Sequence, residues 1–174
     1  MYRVAPYFFT KTAIELPVMI ITPILTVVIT YFGIGCTITV KQFFIQLAAY
    51  ILVQLSASSF GYFLSSIFSQ EETAVQMSSV FLMPMILFSG FFSNSGKFPD
   101  WIGWLQYVSP MRYSLEIVVD NEFSSRNYGP HDVHLTSFLG FNLGLPLCFG
   151  ILILLTVVLR ILSLVCLKLL IGKF

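Results

Sequence analysis

Apolar and polar positions in this chain do not alternate; they segregate into long blocks. Four blocks are apolar almost throughout: Leu16 to Gly35, Phe43 to Phe68, Thr73 to Ser95 and Phe141 to Leu167. The first three hold no charged residue and the last holds one, Arg160. A bilayer core about 30 Å thick is crossed by about 20 residues of helix, and inside hydrocarbon every backbone N–H and C=O must be paired within the segment. The pattern therefore predicts an all-α membrane protein with four transmembrane helices. Glu15 stands just before the first block, and Pro17 and Pro23 fall inside it.

The links differ in length. Those around Lys41 and around Glu71-Glu72 are short, whereas residues 96–140 form a long polar excursion before the last block. Four crossings place both termini on one face, with the long loop on the other. Arg3, Lys11, Lys168 and Lys173 flank the termini, while Lys41, Lys97, Arg112 and Arg126 lie opposite. The terminal cations sit against span ends and Arg112 and Arg126 lie deep in the loop, so the positive-inside rule favours cytoplasmic termini. Within the loop, Phe98, Trp101, Ile102, Leu105 and Val108 recur at helical spacing. Together with Trp104 they predict an interfacial or re-entrant helix, since indole rings favour the headgroup level. Pro110 ends it, and a second helix is predicted from Met111 to about Phe123.

Composition sharpens the class. Of 174 residues, 57% are hydrophobic and 10% charged, and the mean hydropathy is +0.88. No single compact core hides that much apolar surface from water, so lipid is the first expected partner. A net charge of +1 offers no field for a phosphate backbone, which argues against nucleic acid. Cys36, Cys148 and Cys166 are widely spaced and show no zinc pattern. Cys36 and Cys148 would both lie near the outer face, as neighbours or as separate buried thiols. His131 and His134 flank Asp132 in the polar loop, where solvation explains them. Met1 to Lys11 does not read as a cleavable leader. Arg160 needs an outlet, because an unpaired guanidinium in a span costs about 2.5–3.5 kcal/mol on insertion scales. It either snorkels toward the face near Lys168 or pairs with Glu15 at a similar depth.

Several segments together resemble the membrane half of White-type (G-subfamily) ATP-binding cassette half-transporters. They are Tyr2-Arg3 with Tyr7-Phe8 and Lys11, Glu15-Leu16-Pro17, the Ser56-Ala57-Ser58-Ser59 run, and Pro84 followed by Leu87-Phe88-Ser89-Gly90-Phe91-Phe92. The loop adds Phe98-Pro99, Trp104-Leu105-Gln106-Tyr107, Arg112-Tyr113 and Asn121-Glu122-Phe123. The resemblance covers nearly the whole chain and implies a partial ABC-2 type transmembrane domain, residues 1–174. Its four spans are expected to be the third to sixth of six, with the first two and the nucleotide-binding domain absent. The sequence holds no G-x-x-x-x-G-K-[ST] phosphate loop. ATP and Mg are therefore expected on a separate nucleotide-binding domain, with no cofactor in this chain.

The resemblance also implies sites. The third span looks like the one lining the central cavity between two half-transporters, with Ser79, Met83, Ile86 and Gly90 on one face. On spacing alone that stripe would equally pack on a neighbouring helix. Phe91 and Phe92 fall where the family carries an apolar plug, or else face lipid near the interface. Tyr2, Arg3 and Lys11 fall at the end of a helix coupled to the ATPase domain, although as juxtamembrane cations Arg3 and Lys11 also suit anionic headgroups. The implied function is the permease segment of an ATP-driven exporter of lipids, sterols or other hydrophobic small molecules, alternating access as a homo- or heterodimer. The alternative is a truncated, membrane-anchored interaction protein that dimerises with full-length half-transporters and regulates them. A membrane-embedded enzyme lacks support, because the spans hold no paired carboxylates, His cluster or nucleophile constellation.

Overall fold

A computed structural model describes residues 4–34, 39–68, 70–90, 105–123, 141 and 143–171. Its regular elements are all helices: α1 (Val4–Ile34), α2 (Val40–Ile67), α3 (Glu71–Leu87), α4 (Leu105–Val108), α5 (Pro110–Phe123) and α6 (Leu145–Ile171). Three of them, α1, α2 and α6, are long and apolar enough to cross a membrane. They correspond to the first, second and fourth predicted spans.

The third predicted crossing is only partly seen. α3 begins at Glu71 and stops at Leu87, which at 1.5 Å per residue makes about 25 Å of helix. Its end is a tight turn: the Phe88 N–H reaches the Pro84 carbonyl at 2.9 Å and the Ser89 N–H reaches Ile86 at 3.2 Å. Gly90 then takes φ +93°, a left-handed conformation that side chains resist. The helical spacing predicted through Gly90 therefore ends at Leu87. Residues 91–95 lie outside the described ones.

α2 is the central element, packing most extensively on α6 and also on α5, α1 and α3. The residues it buries explain why. Gln42, Gln46, Ala49, Ser56, Ser59, Leu64 and Ser66 are buried, and most are small or polar. Small side chains let helices approach closely, and polar ones find partners across the contact that lipid does not supply. The Ser56 and Thr156 hydroxyls meet at 2.6 Å between α2 and α6, and Ser163 on α6 is buried as well. α1 buries a four-residue rhythm of Met19, Pro23, Val27 and Tyr31. Val18, Ile21, Leu25, Ile29 and Phe32 stay exposed on it, as expected of side chains solvated by lipid. Thr22, Thr26 and Thr30 donate to carbonyls one turn back in the same helix, at 2.8–2.9 Å. Their hydroxyls are satisfied without a neighbour.

The described part of the long excursion, residues 105–123, packs on the bundle. α4 and α5 are separated at Ser109, and Pro110 opens α5, a position where its missing N–H costs nothing. The second loop helix thus spans Pro110 to Phe123, within one residue of the prediction. α5 lies against both α2 and α6, and the packed core sits there: Ala49 of α2, Tyr113 and Ile117 of α5, Cys148 and Leu152 of α6. Cys148 is a free, fully buried thiol; Cys36, Trp101, Trp104, His131 and His134 lie outside the described residues.

Candidate functional site

Three places in the bundle carry the chemistry: the exposed face of α3, a polar cluster at the α5 end, and a charged cluster at the opposite end.

On α3, Ser79, Met83 and Ile86 are all exposed, Met83 at 66%. The Ser79 hydroxyl turns back to the Val75 carbonyl at 3.4 Å. No residue of α3 is buried, and among the described residues no helix covers the stripe. Gly90 is separated from it. It is buried beyond the helix end, where an added Cβ would stand 3.0 Å from the Phe141 ring. The grouping of Gly90 with the stripe is corrected accordingly, because a turn replaces the last helical step. Phe91 and Phe92, Tyr2 and Arg3 lie outside the described residues.

At the α5 end, Gln42 and Asn121 exchange hydrogen bonds: Gln42 Nε2 donates to the Asn121 carbonyl at 2.9 Å, and Asn121 Nδ2 to the Gln42 carbonyl at 3.0 Å. The Leu143 N–H donates to Glu116 Oε1 at 2.7 Å, tying the start of the last span to α5. Tyr113 donates to the Tyr107 carbonyl at 2.8 Å, and Ser109 to the Met85 carbonyl at 2.9 Å. Arg112 stacks over the Tyr107 ring at 4.8 Å. Its Nε and Nη1, and Glu116 Oε2, are buried without a partner among the described residues. Burial pushes the Tyr113 phenol above its ordinary value, and the Arg112 guanidinium opposes the shift.

At the opposite end, Glu15 and Arg160 come together through Tyr62, with no direct ion pair between them among the described residues. The Tyr62 hydroxyl donates to Glu15 Oε2. The Arg160 guanidinium lies 5.6 Å from the Tyr62 ring centroid, and its Nε donates to Ser59 Oγ at 3.1 Å. Lys11 Nζ lies 5.5 Å from the same ring. Cations within about 6 Å of a ring face are attracted by its quadrupole. The sequence leaves Arg160 either to snorkel toward Lys168 or to pair with Glu15 and gives no sign of Tyr62, which carries no distinguishing signal among eight tyrosines. Ser59 had been singled out as part of a motif, without a partner.

The sequence that builds this arrangement is similar to known ones. Residues 1–123, from the start of the chain to the last residue of α5, match the ABC-2 type transporter family. The chain belongs to that family. Relatives of this ABC-2 chain include Protein white of Ceratitis capitata, 38% identical over 124 residues, which is 71% of this chain and 18% of the relative. The Broad substrate specificity ATP-binding cassette transporter ABCG2 of Bos taurus is 34% identical over 130 residues, 74% of this chain and 20% of the relative. ABC transporter ATP-binding protein/permease wht-1 of Caenorhabditis elegans is 32% identical over 124 residues, 71% of this chain and 18% of the relative. The chain spans about a fifth of the length of the curated relatives it matches. These relatives place it with the membrane part of White-type half-transporters. As a member of this ABC-2 family it is an integral membrane protein.

Proposed function

We propose that this ABC-2 chain forms part of the permease of an ATP-driven exporter of lipids, sterols or other hydrophobic small molecules, working as a dimer by alternating access. The observation that carries the reading is α3. It is apolar, has no buried residue, and is free of charged side chains from Thr73 to its end. Val80, Met83 and Ile86 remain exposed on it, with Met83 offering a pliable thioether. Beyond the Ser79 hydroxyl, the stripe of Val80, Met83 and Ile86 is apolar, and it suits a flat apolar molecule held between two copies better than an ion or a sugar. The cytoplasmic face is then the one carrying the termini, and α5 lies on the exit side.

ATP and Mg would bind a nucleotide-binding domain, and the residues here do no hydrolysis. Their task is to hold the apolar molecule, exclude water from it and change its side of access. The test joins this membrane sequence to the nucleotide-binding domain and first two spans of a White-type relative and follows uptake of a fluorescent sterol or hydrophobic dye into inside-out vesicles. Uptake is expected to need ATP and to be lost in Met83→Arg with membrane insertion retained. A correctly inserted protein that moves no apolar probe in an ATP-dependent way would overturn the proposal.

A further inference from the structure

The cluster around Tyr62 is unbalanced in charge. Lys11 from α1 and Arg160 from α6 face the ring, and Glu15 from α1 faces its hydroxyl. α2 contributes Tyr62 and Ser59, which are uncharged, so among the described residues two cations are set against one carboxylate. That carboxylate already accepts the Tyr62 hydroxyl. Arg160 spends its Nε on Ser59, while its Nη2 is buried with no hydrogen-bond partner among the described residues. Glu71 and Glu72, at the same end of the bundle, are exposed at the start of α3. An excess cation beside apolar surroundings is stabilised by a counter-anion.

Next to the cluster, α1 forms one side of a cleft of about 320 Å³, lined among the described residues by Thr10, Lys11, Ile14 and Glu15. The apolar wall continues from it. Ile14, Val18, Ile21 and Leu25 follow Lys11 at steps of three or four residues and are all exposed. They make an unbroken apolar stripe over about 21 Å of helix, counted from the cation. A cation at the head of a lipid-facing stripe matches a molecule with an anionic head and an acyl chain.

We infer that this cleft is a binding site for one anionic phospholipid, its phosphate on Lys11 beside the uncompensated charge of the Tyr62 cluster and its acyl chain along Ile14, Val18, Ile21 and Leu25. A zwitterionic lipid brings its own cation against Lys11 and is disfavoured. Inorganic phosphate meets the charge and leaves the stripe unused. The assignment does not depend on what the chain transports.

The test uses the full chain, purified in detergent, with phosphatidylglycerol or phosphatidylcholine added back, and native mass spectrometry to count retained lipids. One phosphatidylglycerol per chain is expected to survive conditions that strip phosphatidylcholine. Lys11→Gln is expected to weaken retention about fivefold, the effect of one surface cation on an anionic headgroup. Lys41→Gln, exposed at the other end of the bundle, should leave it unchanged. Helical content by circular dichroism checks folding; Lys11 is exposed, and the wild-type headgroup comparison stands independently of any variant. Equal retention of both lipids would overturn the site, as would equal losses in the two variants. Displacement of phosphatidylglycerol by inorganic phosphate at comparable concentration would assign the site to free phosphate and overturn the lipid.

Discussion

Tyr62 gives a carboxylate its hydroxyl and two cations its ring, so one side chain does what an ion pair would do with full desolvation of both charges. Replacing it separates these roles. Tyr62→Phe keeps the ring and strips Glu15 of its donor, and is expected to cost about 1 kcal/mol, the usual worth of a hydrogen bond between membrane helices. Tyr62→Leu removes the ring face as well and should cost more; thermal unfolding in detergent ranks the two. Gly90 is the second informative residue. Its φ of +93° and the Phe141 ring 3.0 Å from a would-be Cβ predict that Gly90→Ala loses about 1–2 kcal/mol, the penalty of a left-handed backbone for a side chain. The same unfolding measurement reads it, and hydrogen exchange should report earlier opening at the end of α3.

At the scale of elements, α5 is held by a packed core and by a short list of polar ties. Ile117 is fully buried between α2 and α6, so Ile117→Ala should cost about 2–5 kcal/mol through lost burial and the cavity left behind. Ile153, half exposed on α6, changes little when shortened, because lipid replaces the missing contact; the expected effect of Ile153→Ala is within about 0.5 kcal/mol. The pair difference, measured by unfolding in the same detergent, isolates α5 packing from general loss of apolar volume. The reciprocal Gln42–Asn121 bonds fix α5 to the end of α2. A double-mutant cycle with Gln42→Ala and Asn121→Ala is expected to show a coupling of about 0.6–1.7 kcal/mol.

For the molecule as a whole, the asymmetry between α2 and α3 matters most. α2 is enclosed on several sides, whereas α3 touches α2, α4 and α5 only lightly and buries nothing. If α3 faces a second copy as proposed, Met83→Cys in a complete half-transporter should give disulfide-linked dimers on oxidation. Ile153→Cys, exposed on α6, should not. Non-reducing electrophoresis distinguishes the two, and equal cross-linking of both would count against the α3 face.

The sequence by itself determined the solvent, the helices and their approximate limits. Uninterrupted apolar blocks specify helices in lipid because no other open segment satisfies its backbone there, and Pro110 marked the break between the loop helices within one residue. The family resemblance was also legible, in motifs such as Ser56-Ala57-Ser58-Ser59 and Asn121-Glu122-Phe123. What stayed hidden was which side of each helix faces inward. In water an apolar stripe points to the core, but hydrocarbon solvates apolar side chains on every side. α2 accordingly buries Gln42, Gln46, Ser56, Ser59 and Ser66 and leaves Phe44 and Ile67 exposed. Only the tertiary structure decided that Tyr62 stands between Glu15 and Arg160, that Glu116 caps the approach to α6, and that α3 ends at Leu87, three residues before Gly90. Those outcomes depend on where helices distant in sequence come to rest, and in lipid that is set by close packing of small residues and by polar groups finding one another.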